Sequence, residues 1–220
     1  MSFKEMFEYG KNVETLLSKF TLANDYCIVP TAPAQIKRFK GPRVETVDGQ
    51  IIATDKLLVI NGRAIFAEDK GKEVFTWTRR QDNKGWSTGI DLHVYQEYKA
   101  LQKRTEVAVW IFFFHRNDEP SPIDKPYLKP GTKCPTGLFA QSLSVLMQLE
   151  DSRTNFHEGE YTKNGRTYPM VYWNRWQLRY LASLDEVIGL KRLATMATLS
   201  ERIEPPKNKP IDPPFWDMKF

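Results

Sequence analysis

The sequence predicts an α/β fold in which helices pack on a mixed β-sheet, and three features of its first half support this. An amphipathic helical pattern covers 3–20, an Asn61-Gly62 pair separates two apolar runs, and a helical pattern at 92–101 leads into the apolar run 106–115. Strand, helix and strand in this order are typical of a right-handed crossover unit. The expected order is therefore helix, short strand, hairpin, crossover helix and strand.

The first helix is indicated by apolar residues at three- and four-residue spacings, with Gly10 as a candidate point of interruption. These residues are Phe3, Met6, Phe7, Val13, Leu16, Leu17 and Phe20. A short β-type run at 26–29 follows and ends at Pro30. The chain is therefore expected to reach the hairpin after one helix and one short strand.

Asn61-Gly62 predicts a tight hairpin turn, because a type I′ turn requires positive φ at both central residues. A two-residue turn here makes each cross-strand pair of residue numbers sum to 123, so that Asp55 faces Glu68. Directly opposed residues project from the same side of a sheet, and Lys70 shares that side. Two carboxylates and one ammonium group should therefore meet at one end of a hairpin that is apolar on both faces and central in the sheet.

The remainder of the chain carries weaker signals. The segment 71–89 is polar, 118–135 is proline-rich and linker-like, 137–149 and much of 178–199 show helical patterns, 153–167 is polar and turn-rich, and 168–173 is a candidate strand. Asp91 stands where a helix N-cap is expected. We therefore divide the chain into a core at 1–117 and a C-terminal extension at 118–220 that packs on it.

The composition predicts a folded, soluble and cytoplasmic protein. The 220 residues carry a net charge of +5, which suits a polyanionic partner if the basic residues cluster. Cys27 and Cys134 form no CxxC pair, so free thiols are expected rather than a zinc site. No segment has the apolar core of a signal peptide or the length of a membrane span. No P-loop, GxGxxG or Ser/His/Asp order supports nucleotide hydrolysis or acyl transfer.

The cluster at the end of the hairpin meets the chemical needs of phosphodiester hydrolysis. Mg²⁺ prefers oxygen ligands and uses one or two protein carboxylates beside water and phosphate. Asp55 and Glu68 would supply the carboxylates, and the backbone carbonyl of Asp69 is a candidate third ligand. Lys70 would position the attacking water, help to deprotonate it, or offset charge on the phosphorane. An acidic residue near a lysine is common on solvated surfaces, but burying such a cluster without function is costly.

The pattern Asp55, then Glu68-Asp69-Lys70, on a hairpin between a helix and a crossover unit, resembles the PD-(D/E)XK nuclease superfamily over about residues 5–115. The superfamily includes archaeal Holliday-junction resolvases, restriction enzymes and many phage nucleases. The resemblance implies a restriction-endonuclease-like core, binding of Mg²⁺ or Mn²⁺ by Asp55 and Glu68, and a role for Lys70 beside the attacking water. The chain departs from the name-giving pattern because Thr54, not proline, precedes Asp55.

The same resemblance implies two further site residues. Many members carry a glutamate on the first helix that faces the metal site, and Glu14 is the first candidate here, with Glu8 second. Some members carry a glutamine on the helix after the motif, and Gln96 is in that place. Members often dimerise to cut two strands, so a homodimer is among the expectations.

Two groups of basic residues flank the motif. Lys37, Arg38, Lys40 and Arg43 precede the hairpin, and Lys72, Arg79, Arg80 and Lys84 follow it. Both groups are candidates for phosphate contacts, and Trp77 and Trp86 either stack on bases or pack in the core. The leading hypothesis is a Mg²⁺-dependent DNA nuclease, with branched DNA among its substrates and a phage origin consistent with the resemblance. The alternatives are a catalytically silent nucleic-acid-binding protein and an RNA-directed nuclease.

Overall fold

A computed structural model describes residues 3–24, 26–31, 42–46, 49–60, 62–79, 84–152, 156–163 and 166–190. The helices of these residues are α1 (Phe3–Ala23), α2 (Leu92–Thr105), α3 (Leu143–Ser152) and α4 (Leu184–Ile188). The strands are β1 (Cys27–Pro30), β2 (Arg43–Thr46), β3 (Gly49–Ile52), β4 (Lys56–Ile60), β5 (Arg63–Lys72), β6 (Thr76–Thr78), β7 (Gly85–Asp91), β8 (Val109–His115), β9 (Gly137–Ser142), β10 (Phe156–Lys163), β11 (Arg166–Asn174) and β12 (Arg179–Ala182). The fold is therefore mixed α/β, with few helices and a large mixed sheet.

The central sheet has six strands in the order β1-β4-β5-β8-β9-β12. Strands β5 and β8 are parallel, and the other neighbours are antiparallel. A second sheet has the order β10-β11-β7-β6, and β2 pairs with β3. The parallel pair confirms the crossover predicted from the apolar run, in which every residue of β8 is buried.

Two apolar cores lie on opposite faces of the central sheet. We call the side towards α2, on which Glu68 and Ile111 project, the front face, and the side towards α1, on which Asp69 and Phe112 project, the back face. The back core joins residues of α1 and α4 to the sheet, and the front core joins α2, α3 and the second sheet to it. The central strands are consequently covered on both faces, as their apolar sequences predict.

The hairpin has the predicted register. The pairs run from Ile60 with Arg63 to Lys56 with Ala67, and Gly62 has a φ of 76°. Glycine accommodates this left-handed conformation without strain. The turn signal therefore sets which residues of β4 and β5 share a face.

α1 packs on the back face beside the end of β5. It is continuous through Gly10, so the candidate interruption at that residue is wrong. A Cβ on Gly71 would lie 2.8 Å from Val13 Cγ2, so the missing side chain lets α1 approach β5 closely. This contact places the middle of α1 next to the strand that carries Glu68 and Lys70.

The predicted helix at 137–149 is wrong in its first half. Gly137–Ser142 is strand β9, and the helix begins at Leu143. β9 lies between β8 and β12, and its first five residues are buried. A strand covered on both faces loses its alternating pattern, so a short apolar run cannot be assigned from periodicity alone.

Two polar segments also form strands. Most of 71–89 belongs to β5, β6 and β7, and most of 153–167 belongs to β10 and β11. β10 pairs with β11 along its whole length, from Phe156 with Trp173 to Lys163 with Arg166. Backbone pairing with a neighbouring strand therefore overrides the weak local signal. The predicted strand at 168–173 is confirmed as part of β11.

Within the predicted helix at 178–199, Arg179–Ala182 form strand β12 and Leu184–Ile188 form the short helix α4, while 191–199 lie outside the described residues. β9 and β12, from beyond residue 117, complete the sheet that contains β5 and β8. Cys27 and Cys134 are free thiols, as expected. Within the described ranges, no helix is both long and apolar enough to cross a membrane.

Candidate active site

Asp55 and Glu68 meet where the β4–β5 ladder ends. The last ladder pair is Lys56 with Ala67, so Asp55 lies just outside β4. The Asp55 backbone N–H donates a hydrogen bond to Glu68 Oε2 at 3.2 Å, and the Asp69 backbone N–H donates one to Asp55 Oδ2 at 2.9 Å. Each carboxylate is therefore held by the backbone of the opposite strand, in the arrangement that the turn predicts.

Glu68 is the most enclosed group of the cluster, with 4% of its surface exposed. Its Oε1 forms an ion pair with Lys70 Nζ, from two residues further along the same face of β5. The phenol of Tyr98, on α2, donates a hydrogen bond to the Glu68 carboxylate. Burial and the charge of Glu68 raise the pKa of Tyr98 well above its usual value, so the phenol stays protonated as a donor.

Asp55 resists ionisation within this cluster. Burial, followed by the charge of Glu68 and against the charge of Lys70, raises the pKa of Asp55 from 3.8 to about 8. Burial alone would lower the pKa of Lys70, but the negative charges of Glu68 and Asp55 raise it above its usual value. Lys70 is therefore a cation at neutral pH, paired with Glu68, while Asp55 keeps its proton until the pH approaches 8.

Asp69 projects to the back face, where its carboxylate forms an ion pair with Lys56 Nζ. Burial raises the pKa of Asp69 to about 6, while the charge of Lys56 opposes the shift. The side chain of Asp69 therefore does not share a face with Glu68 and Lys70. Its backbone carbonyl remains the candidate metal ligand predicted from the sequence.

The first helix brings one of its two candidate glutamates close to the cluster. Glu14 is half-buried and accepts a hydrogen bond from Lys11 Nζ at 3.0 Å. Its negative charge contributes to the raised pKa values of both Asp55 and Asp69, behind burial and nearer charges. Glu8 is exposed on the same helix.

α2 presents Tyr98, not Gln96, to Glu68. Gln96 is exposed, whereas Tyr98 is 1% exposed. Sequence reasoning missed Tyr98 because an aromatic residue at helical spacing is typical of a core position. A buried tyrosine hydroxyl usually has a hydrogen-bond partner, so a tyrosine at a core position of α2 could have been expected to face a polar group such as Glu68.

From the sequence, Asp91 is predicted only as a helix N-cap, but it also lies near the charged cluster. It is the N-cap residue of α2, but its side chain makes no capping hydrogen bond. Its negative charge acts on Lys70, Lys72 and Tyr98 and favours the protonated form of each. The exposed carboxylate of Asp91 therefore belongs to the electrostatic surroundings of the cluster.

Four of the predicted phosphate-contact residues lie in the described part of the chain, and one of them, Arg43 on β2, is exposed. Lys72 is half-buried on β5, and burial with the charge of Lys70 lowers its pKa to about 8. Arg79 and Lys84 are exposed, and the Arg79 guanidinium lies 4.2 Å from the centre of the Tyr127 ring. The other four, Lys37, Arg38, Lys40 and Arg80, lie outside the described residues.

The two tryptophans of the β6–β7 pair pack against each other. Trp77 and Trp86 are paired across the strands, with ring centroids 5.0 Å apart in an edge-to-face arrangement. Both are half-buried. Of the two roles considered from the sequence, base stacking and packing within the protein, packing accounts for this contact.

Asp55 and Glu68 fit a hard divalent cation in chemistry and charge. Burial, and after it the charge of Glu68, raises the pKa of Asp55, and a cation beside both carboxylates would favour the ionised form of Asp55. In the described ranges, no three His, Cys, Asp or Glu side chains converge closely enough to hold a metal ion. An ion at this site would therefore complete its coordination with water and phosphate, as Mg²⁺ commonly does.

Comparisons with known proteins add a distant structural likeness. No protein-family model matches the chain, and no curated protein matches it. The structure is similar to that of Hjc, a Holliday junction resolvase from the archaeal hyperthermophile Archaeoglobus fulgidus, with a TM-score of 0.36 and 6% identity over 73% of this chain and 86% of that chain. A likeness this distant leaves function to be argued from the residues of the site.

Proposed function

We propose that this protein is a Mg²⁺-dependent nuclease of the PD-(D/E)XK type that hydrolyses phosphodiester bonds in DNA. The observation that carries the proposal is the convergence of Asp55, Glu68 and Lys70 on the front face, with Glu68 held by Tyr98 as well. Such a cluster is costly to bury. A divalent cation beside both carboxylates would take the place of the proton that Asp55 holds at neutral pH.

Asp55, Glu68 and the backbone carbonyl of Asp69 are the proposed metal ligands. When bound, the ion would polarise the scissile phosphate and lower the pKa of a bound water. Lys70 is a cation in this site, so its proposed role is to orient the attacking water and to offset the negative charge that develops on the phosphate. Tyr98 fixes the orientation of the Glu68 carboxylate, as hydrogen-bonded partners of ligands commonly do.

Two further residues, Glu14 and Gln96, are assigned supporting roles. Glu14 would add negative charge beside the ligands from α1, in line with its effect on Asp55. Gln96 is exposed on α2 and would reach substrate rather than the Glu68 carboxylate. Variants of each residue, measured for metal affinity and for DNA affinity, would separate the two roles.

DNA would approach along a basic flank of the site. Lys72 lies on the same strand and face as Lys70, and Arg79 and Lys84 are exposed at the ends of β6 and β7. We assign phosphate contacts to these residues and to Arg80, Lys37 and Arg38. Binding that depends on such contacts weakens as salt rises, because phosphate neutralisation releases counterions.

The test is cleavage of plasmid, linear duplex, single-stranded and four-way-junction DNA with Mg²⁺ or Mn²⁺, beside EDTA and Asp55→Asn. Junction DNA belongs in the panel because the resembled superfamily includes resolvases. Glu119→Gln is a matched control, since Glu119 is an exposed carboxylate paired with Lys125. We expect metal-dependent cleavage that is lost in Asp55→Asn and kept in Glu119→Gln.

Two other outcomes would replace the proposal. RNA of the same sequence, cleaved faster than DNA, would make the protein an RNA-directed nuclease. Salt-dependent DNA binding without cleavage, and without metal binding by calorimetry, would make it a silent binding protein. Light scattering in the same experiments tests the homodimer that two-strand cutting would use.

A further inference from the structure

The back face of the hairpin carries an ion pair directly behind the candidate active site. Lys56 follows Asp55 in the chain, and Asp69 follows Glu68. Lys56 Nζ donates a hydrogen bond to Asp69 Oδ2, and the two side chains are 5% and 1% exposed. Each member of the pair is therefore the chain neighbour of one front-face carboxylate.

The pair lies between the sheet and α1 in an otherwise apolar setting. A small cavity beside it is lined by Lys56, Asp69 and the residues Leu17, Thr21, Leu58, Phe112 and Leu138. The Thr21 hydroxyl donates its hydrogen bond to the Leu17 backbone carbonyl at 2.6 Å. The surroundings are therefore largely those of an apolar core, and the two charges depend mainly on each other.

The ion pair acts where the β4–β5 ladder has stopped. The last ladder pair is Lys56 with Ala67, so no ladder bond holds Asp55 against β5. Lys56 and Asp69 are diagonal neighbours across that end, within the reach of long side chains. The ion pair on the back face and the bonds of Asp55 to Glu68 and Asp69 on the front face therefore fix the same short stretch of backbone.

Stability alone does not account for this pair. Removing two charges from water costs about as much as their attraction returns, and apolar replacements of similar volume are often neutral or stabilising. What an ion pair adds is a fixed geometry between two strands. That geometry is needed at the one place where two carboxylates must present oxygens to a single ion.

We propose that the buried Lys56–Asp69 pair is a positioning element of the active site, which sets the spacing of the Asp55 and Glu68 carboxylates from the opposite face of the sheet. The inference rests on the proposed nuclease function. Lys56 and the Asp69 side chain touch neither substrate nor metal in this scheme. They act through the backbone of the ligands.

The test is the double variant Lys56→Met/Asp69→Leu, which replaces the pair by apolar groups. We expect kcat to fall by about 10- to 100-fold, as for other residues that orient metal ligands, with KM for DNA unchanged. The Mg²⁺ concentration for half-maximal activity should rise, and Mn²⁺ affinity without DNA, measured by calorimetry, should fall. The amides of Asp55 and Asp69 should exchange hydrogen faster, while the melting temperature stays close to that of the wild type.

Val187→Ala is the matched control. Val187 is fully buried on α4 in the back core, so its truncation destabilises the same layer without touching the hairpin end. Its kcat and Mg²⁺ requirement should equal those of the wild type below the melting temperature. If the double variant does not fold, Lys56→Arg, which keeps the charge and changes its reach, is measured in its place.

The outcomes separate the two proposals. A wild type that cleaves, beside a double variant or Lys56→Arg with unchanged kcat and Mg²⁺ requirement, overturns the positioning role alone. A wild type without metal-dependent cleavage of DNA or RNA overturns the nuclease proposal and this inference with it. A raised Mg²⁺ requirement with unchanged KM supports both.

Discussion

The two faces of the β4–β5 hairpin use the same side-chain types in opposite ways. On the back face, Lys56 and Asp69 form a closed pair that is almost fully buried. On the front face, Lys70 is shared by Glu68 and Asp55, and 29% of its side chain is exposed. A closed pair fixes geometry, whereas the front face keeps a second carboxylate, Asp55, that can exchange its proton for a bound cation. Adjacent residues of one strand can therefore serve structure and chemistry separately.

Of the two lysines, Lys70 should show the larger effect on substitution by methionine, and that effect should fall on activity. Loss of the ammonium group removes charge stabilisation beside the phosphate, so we expect kcat to fall by about 10²–10³-fold. Single-turnover cleavage at saturating Mg²⁺, well below the melting temperature, measures it. A Lys70→Met protein with wild-type kcat would remove Lys70 from the chemistry.

The same substitution on the back face, Lys56→Met, should act mainly on stability. It leaves the Asp69 carboxylate buried without its partner, which costs about 3–5 kcal/mol. Urea unfolding of Lys56→Met and Lys70→Met, side by side, measures the difference. Equal losses of stability in the two variants would show that the lysines of the two faces do not differ in their structural role.

Mg²⁺ should stabilise the wild type through the front face. A ligand at 100 times its Kd adds about 2.7 kcal/mol to the stability of the folded state. Thermal unfolding with increasing Mg²⁺ should therefore show a rising melting temperature in the wild type and a flat one in Glu68→Ala. A parallel rise in both proteins would place the cation elsewhere.

Asp55→Asn should raise the free energy of unfolding in EDTA, by less than the changes expected for Lys56→Met and for Mg²⁺ binding. Because the pKa of Asp55 is raised from 3.8 to about 8, the folded state holds this proton more tightly than the unfolded chain. Stability from the protonated form is complete below the ordinary pKa and is lost as pH rises through about 8. The difference in unfolding free energy between Asp55→Asn and the wild type should therefore grow from acid to pH 8. A difference in unfolding free energy that does not change with pH would contradict the raised pKa of Asp55.

The sequence predicts the front face well because the turn chemistry is local. The Asn61-Gly62 pair predicts the register that β4 and β5 have, and a hydrogen bond from the Asp55 backbone to Glu68 lies just beyond the last ladder pair. The same alternation places Lys56 and Asp69 together on the back face, but their pairing is diagonal and is not visible from directly opposed residues. Cross-strand register therefore predicts directly opposed site residues more readily than the diagonal pair behind them.

Other parts of the fold depend on contacts between distant segments. Tyr98 has the spacing of a core residue, and only the packing of α2 on β5 shows that its hydroxyl reaches Glu68. β9 lacks an alternating pattern because it is buried between β8 and β12. These features are set by tertiary burial, which local propensity does not encode.

Cleavage of DNA by the wild type and Glu68→Ala, side by side in Mg²⁺, tests the central claim most directly. Duplex and four-way-junction substrates of the same sequence would be incubated with each protein at equal concentration, with EDTA as the blank. We expect cleavage by the wild type that EDTA abolishes and a rate lower by at least ~10³-fold in Glu68→Ala. Equal cleavage by the two proteins, or cleavage that persists in EDTA, would contradict it.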